Sequence, residues 1–206
     1  MELYTLAQML HDAVFRIQHI SPIELIVFTI IAIPTIYAMI GAPFVPTHMK
    51  QVKRMIDAAN LKKGMKIYDL GCGDGRLVHE ASTLVGSTKA VGYEYSPLVY
   101  LWAKFLSIFW RGDAIKYGNI WNQNFSDADV IFCYLLPHAM AKFEKIVIPQ
   151  LKPNTLIVSH AFAMPTYPIY KKIPRDEMHA PVLVYKIEEK IAPALQKKKQ
   201  KGKNRI

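Results

Sequence analysis

At 206 residues the chain has room for one domain of ordinary size with a short appendage, and 51% apolar against 20% charged residues excludes general disorder. The net charge of +10 is unevenly placed: through Val45 one base, Arg16, stands against Glu2, Asp12 and Glu24, which leaves 25 bases and 13 acids beyond. Such a basic body admits nucleic acid, anionic lipid or an acidic protein surface as partner, and charge does not choose among them.

Residues 1–21 carry Leu3, Leu6, Ala7, Leu10, Val14 and Ile17 at helical spacing, a pattern for an interfacial helix or one packed on a partner. Residues 22–42 hold an uncharged run of 18, Leu25 to Ala42. As a helix the run reaches about 27 Å, near the thickness of a hydrocarbon layer. It is apolar on all faces, which favours a transmembrane or membrane-inserted helix over a buried core helix, and its acidic start argues against a signal peptide. Pro34 bends it and keeps a shallow insertion open. Lys50, Lys53, Arg54, Lys62 and Lys63 follow the run while only Arg16 precedes it, so the positive-inside rule puts the remainder on the cytoplasmic or equivalent side of a single-pass protein.

Residues 43–64 form a loop and helix, with Val52, Met55, Ile56 and Ala59 on one face. Residues 65–190 then alternate strand and helix. Strands are expected at Met65 to Leu70, Ala90 to Tyr95, around Ala114 to Tyr117, Asp129 to Tyr134, Thr155 to Ala161 and Pro181 to Ile187. Helices are expected at Arg76 to Leu84, Pro97 to Trp110 and His138 to Ile148. This alternation implies an α/β fold, a mostly parallel sheet covered by helices on both faces, with ligands beyond the C-terminal strand ends. Residues 191–206 are a basic tail, solvated or drawn to anionic lipid, without the aromatic residues an RNA module would interleave. Cys72 and Cys133 have no metal-ligand spacing and make no disulfide framework, so both read as small core residues in a reducing compartment.

The first strand ends in Asp69-Leu70-Gly71-Cys72-Gly73-Asp74-Gly75-Arg76. Glycines here let the backbone turn sharply and approach a ligand. The spacing is Gly-x-Gly-x-Gly; the third glycine of a dinucleotide loop would fall at Arg76, and no P-loop is present. Asp69 suits a cationic amino group and would repel phosphate. Glu94, at the end of the second strand, can accept from both ribose hydroxyls. A nucleoside site with one extra carboxylate for an ammonium group fits S-adenosylmethionine.

Lys66 to Tyr95 resembles the first two motifs of class I methyltransferases, a seven-stranded Rossmann-like family. The resemblance implies that Asp69 holds the methionine end of S-adenosylmethionine, that Gly71, Cys72, Gly73 and Gly75 pack on it, and that Glu94 with Tyr95 takes the ribose. Tyr117-Gly118-Asn119-Ile120 is similar to the family's adenine-contacting segment, with Asn119 where an Asp is usual; its amide oxygen can still accept from the adenine amino group. A hydrophobic segment, then Pro43-Phe44-Val45-Pro46-Thr47, a short helix and the glycine turn together resemble one branch: membrane-anchored protein lysine methyltransferases of the adenine nucleotide translocase and ATP synthase c-subunit type. That resemblance implies a lysine of a membrane-associated protein as acceptor; the basic tail adds contact with membrane lipid, and the lack of metal-ligand spacing and of aromatic residues amid the basic run leads to no metal and no nucleic acid partner. The loop from Pro43 to Thr47 either covers the cofactor or is a rigid exit from the membrane.

A sulfonium methyl is already activated, so the enzyme needs mainly to align a neutral amine with it. Tyr134, with Pro137 and the backbone carbonyls between them, leaves the fourth strand where acceptors sit in this fold and is expected to orient that amine; a Tyr that only packs the wall is the competing reading. His160, at the end of the fifth strand, is the histidine to test. Methylation of a lipid or small amine, and a membrane-tethered nucleoside or RNA binder without turnover, are the alternatives.

Overall fold

The computed structural model describes Gln8 and residues 20–40, 44–110 and 114–188, without the side chains of 33–40. Apart from Gln8, Ile20 and Ser21, residues 1–21 with their amphipathic pattern lie outside the described residues, as do Gly41, Ala42, Pro43 and the basic tail. The chain divides into two units, residues 1–43 and 44–206.

The first unit contains helix α1, Pro22–Ile40. Its start is a reciprocal cap: Glu24 N donates to Ser21 Oγ (3.2 Å) and Ser21 N to Glu24 Oε2 (2.8 Å). The expectation of a membrane-spanning segment, and with it a single-pass location with the enzyme domain on the cytoplasmic side, is overturned: among the described residues no helix is long and apolar enough to cross a membrane. Glu24 places a charge in the first turn of this helix.

The second unit is built on a seven-stranded sheet in the order β3-β2-β1-β4-β5-β7-β6. The strands are β1 Ile67–Leu70, β2 Ala90–Glu94, β3 Ala114–Tyr117, β4 Val130–Cys133, β5 Leu156–His160, β6 Lys171–Ile173 and β7 Val182–Lys186. The first five run parallel, and β7 is antiparallel to both β5 and β6. Helices α2 (Met49–Ala59), α3 (Arg76–Val85), α4 (Pro97–Phe109) and α5 (Pro137–Ile146) accompany it. This is the Rossmann-like arrangement the alternation implied, with each long element within a few residues of its expected place.

Alternation along the strands divides the core in two. Val130 and Phe132 join the cluster of Val52, Met55, Val78 and Ala81 from α2 and α3, whereas Ile131 and Cys133 face Met140 and Phe143 of α5. Burial on both faces explains why β1 and β4 carry apolar residues at nearly every position. Both cysteines are buried free thiols. The chain order reverses between β1 and β4, which places the ligand crevice at their C-terminal ends.

Candidate functional site

The glycine turn leaves β1 at that reversal. Gly71 N and Cys72 N both donate to Tyr93 O (2.9 and 3.0 Å), which hooks the turn onto β2. Gly73 has φ +59, and a Cβ there would lie 2.6 Å from the Phe44 ring, so the absence of a side chain lets Phe44 pack on the turn. Cys72 uses the space a side chain at Gly92 would fill, with its Sγ 2.7 Å from that position. Gly75 ends the turn as the N-cap of α3. Arg76 Nη1 donates to Thr47 O (2.8 Å) while its guanidinium pairs with Asp74, so one side chain fastens the 44–48 segment beside the turn. Phe44 belongs to the loop expected either to cover the cofactor or to be a rigid exit, and its ring packs on the glycine turn.

Asp69 is 7% exposed, and its carboxylate accepts no hydrogen bond among the described residues. Burial, then the neighbouring Glu94 and Asp74, push its carboxyl up to about 8. A buried carboxylate in that state is poised for a cationic partner.

Glu94 sits differently from the expected two-handed ribose acceptor. Its Oε1 accepts from Tyr95 N (2.9 Å) and Ser96 N (2.8 Å), and its Oε2 from Gly73 N (3.0 Å). Each carboxylate oxygen has two lone pairs, so the open acceptor position is on Oε2. Tyr95 stacks on Tyr117 (6.0 Å, 13°), and Tyr117 also meets Tyr100 (5.5 Å), which forms an aromatic wall beyond β2 and β3. Gly118 N donates to Glu94 O (3.0 Å) and ties the next segment to the same strand end. Asn119 caps the short turn that follows, its Oδ1 accepting from Trp121 N (3.0 Å), and Ile120 packs against the core.

Across the reversal, Tyr134 follows β4 and His160 ends β5. Their rings lie 4.1 Å apart, and the Phe162 ring is nearly parallel to Tyr134 at 6.1 Å. Pro137 is the first residue of α5, where its missing N–H costs nothing, and Leu136 O is already taken by Met140 N (2.9 Å). Pro137 thus fixes the direction of the segment after Tyr134. Among the described residues no group of three His, Cys, Asp or Glu side chains could hold a metal ion.

The family profile described as ANTKMT methyltransferase domain matches residues 69–171. The protein-lysine N-methyltransferase of Saccharolobus islandicus (strain REY15A) is 34% identical over 124 residues, 58% of this chain and 76% of that protein. An RNA methyltransferase from Salinibacter ruber, solved in complex with S-adenosyl-L-homocysteine, superposes with a TM-score of 0.64 at 31% identity, over 70% of this chain and 95% of that one. A precorrin-6y C5,15-methyltransferase from Geobacter metallireducens superposes at 0.53 with 16% identity, over 70% and 90% of the two chains, a likeness of fold alone.

Proposed function

The chain belongs to the ANTKMT methyltransferase domain family and is an S-adenosylmethionine-dependent methyltransferase, and from that premise we propose that it methylates the ε-amine of a lysine in another protein. The observation that carries the acceptor is the likeness, over three quarters of its length, to an enzyme named for protein lysine.

S-adenosylmethionine supplies a sulfonium methyl whose carbon–sulfur bond breaks as the nitrogen–carbon bond forms. The residues of the chain account for binding and alignment. Asp69, buried and without a donor, offers its carboxylate to the ammonium group of the methionyl end. The open lone pair of Glu94 Oε2 accepts one ribose hydroxyl, and a second hydroxyl reaches Oε1 by replacing a backbone donor. Tyr95 walls the nucleoside on one side, and the glycine turn, Cys72 and Phe44 close around it on the other. Asn119 keeps one lone pair on Oδ1 and its amide donor for adenine, with Ile120 beneath. Tyr134, held by Pro137, borders the acceptor side. The lysine gives its proton to solvent on entering this less polar crevice and reacts as the neutral amine.

A membrane-associated acceptor protein is the finer reading. It is supported by α4, which buries only Ala103 and exposes Leu98, Leu101, Trp102, Phe105, Ile108 and Phe109 directly after the Glu94 corner. The test is incubation of the full chain with S-adenosyl-L-[methyl-³H]methionine and separated protein, RNA and lipid fractions. Label is expected in protein. Label confined to RNA would favour the chemistry in the name of the Salinibacter relative, and label confined to lipid would favour a headgroup amine; either result removes the lysine assignment.

A further inference from the structure

His160 is 8% exposed, and its Nδ1 is buried with no hydrogen-bond partner. An unsatisfied polar atom in a protein interior is rare and asks for a cause. The turn that carries it is held firmly. Ser159 Oγ donates to Phe162 O (2.7 Å), Phe162 N to His160 O (2.8 Å), and Ala161 N to Pro181 O (2.9 Å). Between the two aromatic residues Ala161 has φ +67, a strained conformation for a residue with a Cβ. Strain that the surroundings enforce collects at functional sites. The result is a fixed array: Cys133 and Ser159 are register partners, Tyr134 follows β4 next to His160, the last residue of β5, and Phe162 completes a panel beside Tyr134.

This panel stands at the ends of β4 and β5, across the crevice from Asp69 and Glu94 on β1 and β2. Burial, and then Arg54, hold the imidazole down at about 4, so at neutral pH it is uncharged. A neutral imidazole does not repel an ammonium group and keeps a lone pair for one of its N–H bonds, while aromatic faces attract cationic or partly positive methylene groups.

We propose that Tyr134, His160 and Phe162 form the seat of the acceptor amine, the aliphatic stem lying along the aromatic panel and the imidazole accepting a hydrogen bond from the amine nitrogen. The seat rests on the lysine reading and extends it by naming the side chains that tell a primary amine from an alcohol of the same length. No covalent change occurs at His160; it holds the nitrogen so that the remaining lone pair faces the sulfonium methyl.

The test needs no turnover and is therefore separate from the labelling assay. The full chain, labelled with [¹⁵N]histidine and saturated with S-adenosylhomocysteine, is titrated with n-butylammonium chloride, the lysine side chain without its backbone. The His160 ring signals, assigned by their loss in His160→Asn, should move with n-butylammonium and stay still with n-butanol. His160→Leu should weaken n-butylammonium binding about tenfold to a hundredfold, the effect of losing one hydrogen bond to a charged group. His160→Asn, which places an amide oxygen near the Nδ1 position, should recover a large part of that loss. Affinity for S-adenosylhomocysteine should stay within about twofold in both variants. Unmoved His160 signals, equal response to butanol, or equal losses in the Leu and Asn variants would each overturn the seat while leaving lysine methylation standing. Absence of label in protein would instead overturn the lysine reading on which the seat rests.

Discussion

Replacing Asp69 by Asn should remove a proton that the enzyme releases when it binds its nucleoside. With its carboxyl raised to about 8, Asp69 is about nine-tenths protonated at pH 7 in the free protein. An ammonium group brought against it favours the charged form and draws the value below neutrality. Binding of S-adenosylhomocysteine at pH 7 should therefore expel about 0.9 proton per site. Calorimetric titrations in phosphate and in Tris, whose ionisation enthalpies differ, read that number from the change in apparent enthalpy. The wild-type chain should show release near 0.9, and Asp69→Asn should show none and bind about tenfold to a hundredfold more weakly, the loss of one charge-assisted contact. The same shift has a consequence for the free protein. A folded-state value raised above the ordinary 3.8 contributes stability that is complete below about pH 4 and is lost as pH rises through about 8. The Asn variant lacks that loss and should melt above wild type at pH 8. Equal proton release in both proteins, or none in the wild type, would refute the placement of the ammonium group at Asp69.

Three further substitutions probe the surroundings. Gly73→Ala forces a Cβ to within 2.6 Å of the Phe44 ring at a φ of +59, and should lower S-adenosylhomocysteine affinity at least tenfold and stability by roughly 1–2 kcal/mol; wild-type affinity by calorimetry would contradict the close packing of Phe44 on the turn. Ala161→Gly should relieve the positive φ and raise stability by roughly 1 kcal/mol, which is about 2–4 °C in melting temperature for a chain of this size; a lower melting temperature would mean the turn is unstrained. Arg76→Met removes the bond to Thr47 O and leaves the buried Asp74 with only the backbone donor at residue 76, at a cost of about 2 kcal/mol. Amide exchange at residues 44–48 should quicken in that variant, and unchanged protection would show that the guanidinium does not fasten the segment.

Much of this architecture was legible because burial writes itself into strands and turns. The parallel strands β1 and β4 lie between two helical layers and are apolar at every position but Asp69, and the turn between β1 and α3 needs glycine where the backbone passes under Phe44. Other features carried no local mark. The edge strand β6 is Lys171-Lys172-Ile173, half solvent-facing and defined only by pairing with β7. Phe44 and Gly73 meet across a separation that no spacing rule records. The membrane expectation rested on hydropathy summed over Leu25 to Ala42, whereas among the described residues no helix is long and apolar enough to cross a membrane. Asn119 was read for its oxygen alone, whereas an Asn just before a tight turn is also a capping residue, and part of its capacity is spent there.

Lysine methylation is tested most directly in the radiolabelled product itself. Protein labelled by the full chain from tritiated S-adenosylmethionine is hydrolysed completely in acid and its amino acids are separated against standards. Tritium should elute with methylated lysines; tritium in methylated arginine, histidine or a carboxyl ester, with none in lysine, would contradict it.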